Sequence, residues 1–405
     1  MFTKMGVPNG EMALFTTLLY FPWFLKGLWS PIVDVVKTKR WWIVTMQLLL
    51  VAMMALLTLT LPTPSDTLIN SGSTPISMFT LTLTLFIIAA FASATHDIAA
   101  DGYYMLAHSR SSQAAFIGLR STFYRISSVF GQGVLVFIAG QVENVTGDIP
   151  YSWKITLSVS AVIFFIVSVY HIFALPKVEK NKETDIKYST SSDGQDLHKE
   201  FWRSFTTFFR KKGVWLAVLF MLLYRLPEGF LIKMCQPFLV GKTADGGLGM
   251  TTDMVGIAYG TIGVIALLAG GIIGGLYASR VGLKKALWPM AAGMTLPCLA
   301  FVYLAIFLPS DLTTICIAIA IEQFGYGFGF TAYMLYMMYF SEGEFKTSHY
   351  AICTAFMALS MMLPGFVAGY LQEWLGYVNF FWMVMVCCIA TVAVTLMVYP
   401  KIKEK

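Results

Sequence analysis

Two aspartates, Asp97 and Asp101, stand in the stretch THDIAADGYYML (95–106), at the end of an apolar run that begins near Ile76. Four residues apart, they share one face of a helix. Two carboxylates that close resist ionising together, a property suited to a group that takes up and gives back a proton. The plainer reading makes them end caps or partners of Arg110. His96 precedes them, a polar neighbour able to change charge near neutral pH. In the next apolar stretch, Tyr124 and Arg125 are placed to meet this face, Arg125 as its counter-charge. A second polar set opens the other half of the chain: Tyr224, Arg225 and Glu228, with Pro227 between the last two. A proline there frees backbone groups and bends the helix, as at ligand sites built on broken membrane helices. Lys233 lies farther along and has the length to snorkel outward. A third set, Glu322 and Gln323, begins EQFGYGFGF. Its glycines 325, 327 and 329 allow close helix approach; no strand precedes them, so phosphate binding is the weaker reading. An ionised group at mid-membrane costs roughly 2.5–3.5 kcal/mol, so each of these residues is a functional candidate. Asp97, Asp101 and Glu322 are the expected proton carriers. Tyr124, Arg125, Tyr224, Arg225, Glu228 and Gln323 are the expected cavity residues, and Lys26 and Asp34, around the first basic turn, the expected gate.

These residues must be positioned by helices in lipid. Of 405 residues 57% are hydrophobic and 12% charged, with mean hydropathy +0.69. At about 20 apolar residues per crossing, the candidate spans are 11–30, 41–62, 77–107, 114–141, 153–175, 214–238, 254–278, 286–308, 312–340, 347–371 and 378–399. The Met1 end lacks the basic, apolar and small-residue pattern of a signal peptide, so none is expected. The six cysteines form no CxxC pair and lie mostly inside apolar spans, which makes them packing residues rather than metal ligands or disulfides. The net charge is +6, and Lys and Arg collect in alternate loops. Loops 63–76, 142–152, 309–311 and 372–377 hold no Lys or Arg. The basic loops are therefore expected inside, with the C-terminus, and Met1 outside.

Segment 177–213 divides the chain into an N-terminal bundle (1–176, five spans) and a C-terminal bundle (214–405, six spans). Its first part is charged and Ser/Thr-rich, a solvated linker. Its second, FWRSFTTFFRKK, reads as an amphipathic helix on the inner leaflet. The halves resemble each other: GLWSPIVDVVKTKRWW (27–42) matches GGLYASRVGLKKALW (274–288), and GQGVLVFIAGQV (131–142) matches LPGFVAGYLQ (363–372). Half-chain repeats mark secondary transporters. The basic turn follows the first span of one half and the second span of the other, so one N-terminal helix is expected to be missing.

The pattern resembles the major facilitator superfamily, and within it the AmpG-type muropeptide permeases and acetyl-CoA transporters. The matching stretches are LKGLWSPIVD (25–34), HDIAADGYY (96–104), YRISS (124–128), LYRLPEGF (223–230), EQFGYGFGFTAYML (322–335) and FVAGYLQEWLGY (366–377). The resemblance implies an all-α polytopic fold of two bundles related by a pseudo-two-fold axis. It also implies a proton-coupled permease of a Gram-negative inner membrane importing anhydro-muropeptide by alternating access. Its coupling ion would be the proton, with no cofactor or metal. Its partners would be a small-molecule substrate and lipid, not nucleic acid, with the monomer as the working unit. The alternatives are another cargo (a coenzyme A ester, oligosaccharide or peptide) and a transport-dead sensor. An intramembrane aspartyl protease fits poorly, because its acids sit on facing helices whereas Asp97 and Asp101 share one.

Overall fold

The computed structural model describes residues 1–5, 7–35, 37–61, 78–107, 123, 126–176, 203, 205–343 and 346–402. Regular structure among them is helical throughout. The helices are α1 (Asn9–Leu18), α2 (Phe21–Val35), α3 (Lys39–Thr60), α4 (Met78–Ala107), α5 (Ile126–Thr146) and α6 (Ile149–Ala174). They continue as α7 (Val214–Leu223), α8 (Leu226–Val240), α9 (Thr252–Phe307), α10 (Leu312–Ser341) and α11 (Lys346–Val398). Among the described residues eight helical stretches are long and apolar enough to cross a membrane. Their outward faces carry what only lipid would cover: on α6, Ile166 is 61% and Phe173 83% exposed.

The boundaries differ from the hydropathy reading where single residues intervene. The expected span 11–30 is two helices, because Pro22 clashes with the carbonyl four residues back and α1 stops there, at Leu18. Pro227 does the same to Leu223, so the apolar stretch Val214–Val240 is broken into α7 and α8. The expected boundaries between 254–278 and 286–308, and between 347–371 and 378–399, fall at non-helical corners that divide α9 and α11 into two arms each. The corners are Gly282 (φ 79°) and Gly376 (φ 72°), left-handed conformations that favour glycine. Each arm still exceeds the roughly 20 residues a crossing needs.

The chain forms two compact units. The first comprises Met1–Val7, Phe15–Ser127 and Ile138–Asp193, the second Pro8–Leu14, Ser128–Phe137 and Gly194–Lys405. In the first unit α3 packs against α4 and α6. Val33, Ile43 and Ala99 form one buried cluster, and Met53, Leu57 and Leu85 another. Thr38 and Asp148 cap α3 and α6 by accepting from the amides of Trp41 and Tyr151.

In the second unit, α10 fits between the two arms of α9 through glycines. A Cβ at Gly325 would press on the Gly293 carbonyl, one at Gly329 would lie 2.6 Å from the Met290 carbonyl, and one at Gly327 would strike the Leu267 carbonyl on the other arm. Apolar side chains gain little by leaving lipid for each other, so close backbone approach is what lets these helices associate. The motif LQEWLGY anchors residues 8–14 of the same unit. Asn9 donates to Gln372 (2.6 Å) and to the Tyr377 hydroxyl (3.1 Å), and the Gly10 amide to Glu373 (2.6 Å). Of the expected surface helix at 201–212, the described part carries Phe208 fully buried against Phe340, His349 and Phe356. Lys211 caps the end of α10 by donating to the carbonyls of Phe340 (2.7 Å) and Glu342 (3.0 Å). Burial holds its ammonium below the ordinary lysine value.

Candidate functional site

The break between α7 and α8 builds the site in the second unit. Arg225 stands at the break as the N-cap residue of α8. Its guanidinium lies over the rings of Phe330, Tyr326 and Tyr333, at 4.6, 5.4 and 5.8 Å from their centroids. It also donates to the Tyr326 hydroxyl. The aromatic faces replace part of the hydration a buried cation loses. Tyr224 fixes the break from behind: its hydroxyl donates to the Gly329 carbonyl (3.2 Å), and its own carbonyl accepts from Thr391 (2.9 Å).

One turn into α8, Glu228 is 1% exposed; Glu322 of α10 is 2% exposed. Their carboxyl groups face and interact with each other. Cys235 and Tyr259 adjoin them. Gln323 donates to Glu322 Oε2 (2.8 Å). Among the described residues, Glu228 Oε1 and Oε2, Glu322 Oε1 and the Nε–H of Arg225 have no hydrogen-bond partner. Nor, among those residues, does a lysine or arginine come within 4.0 Å of either glutamate. Two desolvated carboxylates side by side would repel, and the Gln323 amide and the nearby Arg225 charge offset only part of the burial. A single proton removes one charge and supplies the donor that the opposing oxygens lack. The pair thus has the make-up of a proton site, and the unused Arg225 N–H that of a contact for an anion.

In the first unit, Asp97 is ion-paired with Lys26 (2.8 Å), joining α4 to α2. Trp29, one turn along α2, donates to Thr95 (3.3 Å) and packs on Phe91. Asp101 is half-buried one turn beyond Asp97, and Lys39 covers the neighbouring Gly102. The structure therefore brings Lys26 onto Asp97 and gathers Arg225, Glu228, Glu322 and Gln323. Tyr124 and Arg125, and the side chain of Asp34, lie outside the described residues. Sequence reasoning singled out His96 but not its company: Gln47 of α3 lies between His96 of α4 and His171 of α6. A glutamine and a histidine inside apolar runs were the available signal.

A polytopic helical protein with a broken helix and buried charges at the break is a membrane transporter in its build. The chain belongs to the Major Facilitator Superfamily, whose family model matches residues 1–338. It is 26% identical over 380 residues to "Putative transporter AmpG 3" of Rickettsia prowazekii (strain Madrid E), covering 90% of this chain and 82% of that one. Its fold is similar to the nucleoside transporter NupG, with a TM-score of 0.62 at 14% identity over 100% of this chain and 93% of the other. A D-xylose-proton symporter gives a TM-score of 0.66 at 14% identity over 96% and 87%.

Proposed function

We propose that this transporter carries anhydro-muropeptide released in cell-wall turnover across the inner membrane, driven by protons, with its C-terminus in the cytoplasm. The halves 1–176 and 214–405 act as the two bundles of an alternating-access carrier. The observation that carries this reading is the buried Glu228–Glu322 pair, with three oxygens lacking a donor, next to the helix break at Arg225. Glu228 and Glu322 take the proton together. Arg225 offers its unused N–H to a carboxylate of the cargo, a charge-assisted bond that suits the peptide part of a muropeptide. Gln323 orients Glu322, and Tyr224 holds the break. Asp97, tied to Lys26, belongs to the gate rather than to the proton path, with Asp101 its neighbour. The AmpG-named relative supports this choice of cargo.

The test is uptake of labelled anhydro-muropeptide by the chain reconstituted in proteoliposomes under an imposed pH gradient. The reading expects accumulation above the outside concentration that a protonophore abolishes. Uptake indifferent to the gradient would remove the proton. Gradient-driven uptake of a coenzyme A ester, with none of muropeptide, would remove the cargo.

A further inference from the structure

The bridge His96–Gln47–His171 ties three helices of the first unit, and its geometry treats the two rings differently. Gln47 Nε2 lies 3.2 Å from His96 Nε2 and 2.8 Å from His171 Nδ1. Gln47 Oε1 also lies 3.1 Å from His171 Nδ1. An amide nitrogen only donates and an amide oxygen only accepts. His171 Nδ1 thus has both a donor and an acceptor in range: bare, it accepts from Nε2; protonated, it donates to Oε1. His96 Nε2 has one amide atom in range and no second choice. Turning the amide over exchanges the atoms, yet His171 still faces both and His96 only one.

The surroundings favour the same ring. His171 lies in the last turn of α6, where the helix dipole stabilises a cation. Tyr170 packs on it, with ring centroids 5.7 Å apart. The charged groups around the bridge come from three helices. On α4, Asp97, ion-paired with Lys26 of α2, adjoins His96, and Asp101 follows one turn on. On α3, Arg40 donates to the Ile172 carbonyl beside His171, and Lys39 donates to the Val33 carbonyl (3.1 Å). A charged His96 would stand against a charged His171 with one amide between them.

We infer that His171 is a proton acceptor of the first unit, held ready by Gln47, and that His96 stays neutral while His171 is charged. This site is separate from Glu228 and Glu322 and does not depend on the cargo.

The test is a ring-¹⁵N NMR titration of the full chain in lipid nanodiscs. Its five histidines give few enough signals to assign with His171→Gln and His96→Gln. Between about pH 8 and pH 5, His171 is expected to pass to imidazolium, with His96 following at least about one pH unit lower. Gln47→Leu, which removes both amide atoms, is expected to collapse that separation. His96 charging first, both rings charging together, or neither charging would overturn the inference, as would an unchanged separation in Gln47→Leu. If Gln47→Leu fails to fold, the order in the unaltered protein decides alone. No gradient or substrate enters the titration, so a negative result leaves the transport reading standing.

Discussion

Among the described residues Arg225 is a buried cation without a carboxylate within ion-pair distance, held by aromatic faces and one hydroxyl. Such contacts are worth about 2 kcal/mol when desolvated, and a lysine would not replace the flat, forked guanidinium. This residue, with Glu228 and Glu322, was legible in the sequence because the bilayer makes every intramembrane charge conspicuous. Their mutual arrangement was not, since glutamates 94 positions apart meet only through the fold. The Gln47–His171 bridge escaped for the same reason: 124 positions separate its partners. Outside the membrane, Asp311 allows a residue-level test. It caps α10 by accepting from both the amide and the hydroxyl of Thr314 (2.8 Å each), and the hydroxyl and amide bonds of Thr314 hold its carboxyl below the ordinary aspartate value. A lowered folded value means the cap contributes fully above the unfolded value of about 3.9 and is lost as pH falls through the folded one. Asp311→Ala is expected to lower the melting temperature of the purified protein at about pH 6, with the deficit shrinking toward about pH 3. An equal deficit at both pH values would contradict it.

At the scale of the element, glycine and proline decide where helices stop and how closely they meet. The role of EQFGYGFGF as a packing surface was readable from its spacing, and the structure adds which glycine faces which arm of α9. What hydropathy could not detect was the break at Pro22, because an apolar window measures length and not backbone continuity. Two substitutions separate contact from propensity. In Gly329→Ala the new methyl would sit 2.5 Å from Met294 Cβ and 2.6 Å from the Met290 carbonyl, and a backbone atom cannot swing aside. A loss of about 1–3 kcal/mol is expected. In Gly275→Ala the methyl meets nothing within 4 Å among the described residues, so the gain in helix propensity is expected to leave stability level or raise it by up to about 1 kcal/mol. Thermal unfolding of the two variants in the same detergent checks the pair. A Gly329→Ala protein as stable as Gly275→Ala would show that the close approach contributes nothing.

For the molecule as a whole, class was legible from composition, basic turns and repeats, because a membrane chain writes its architecture as runs of apolar residues, and the family from the motif stretches that carry the resemblance. The sorting of Pro8–Leu14 and Ser128–Phe137 into the second unit was not, since it rests on contacts such as Asn9 with Gln372 and Gly133 with Gly260. The same contacts explain the polar residues of LQEWLGY and Gly133 of GQGVLVFIAGQV. The proposed roles give Glu228 and Glu322 the proton that drives transport and Arg225 the cargo. The most direct measurement compares gradient-driven uptake with substrate counterflow in proteoliposomes for Glu228→Gln and Glu322→Gln, since counterflow moves cargo without net proton movement. Glutamine keeps the volume and supplies the missing donor, so both variants should fold. Gradient-driven accumulation is expected to fall at least about tenfold, equivalent to about 1.4 kcal/mol, while counterflow persists. Gradient-driven accumulation at the unaltered level in both variants would contradict it.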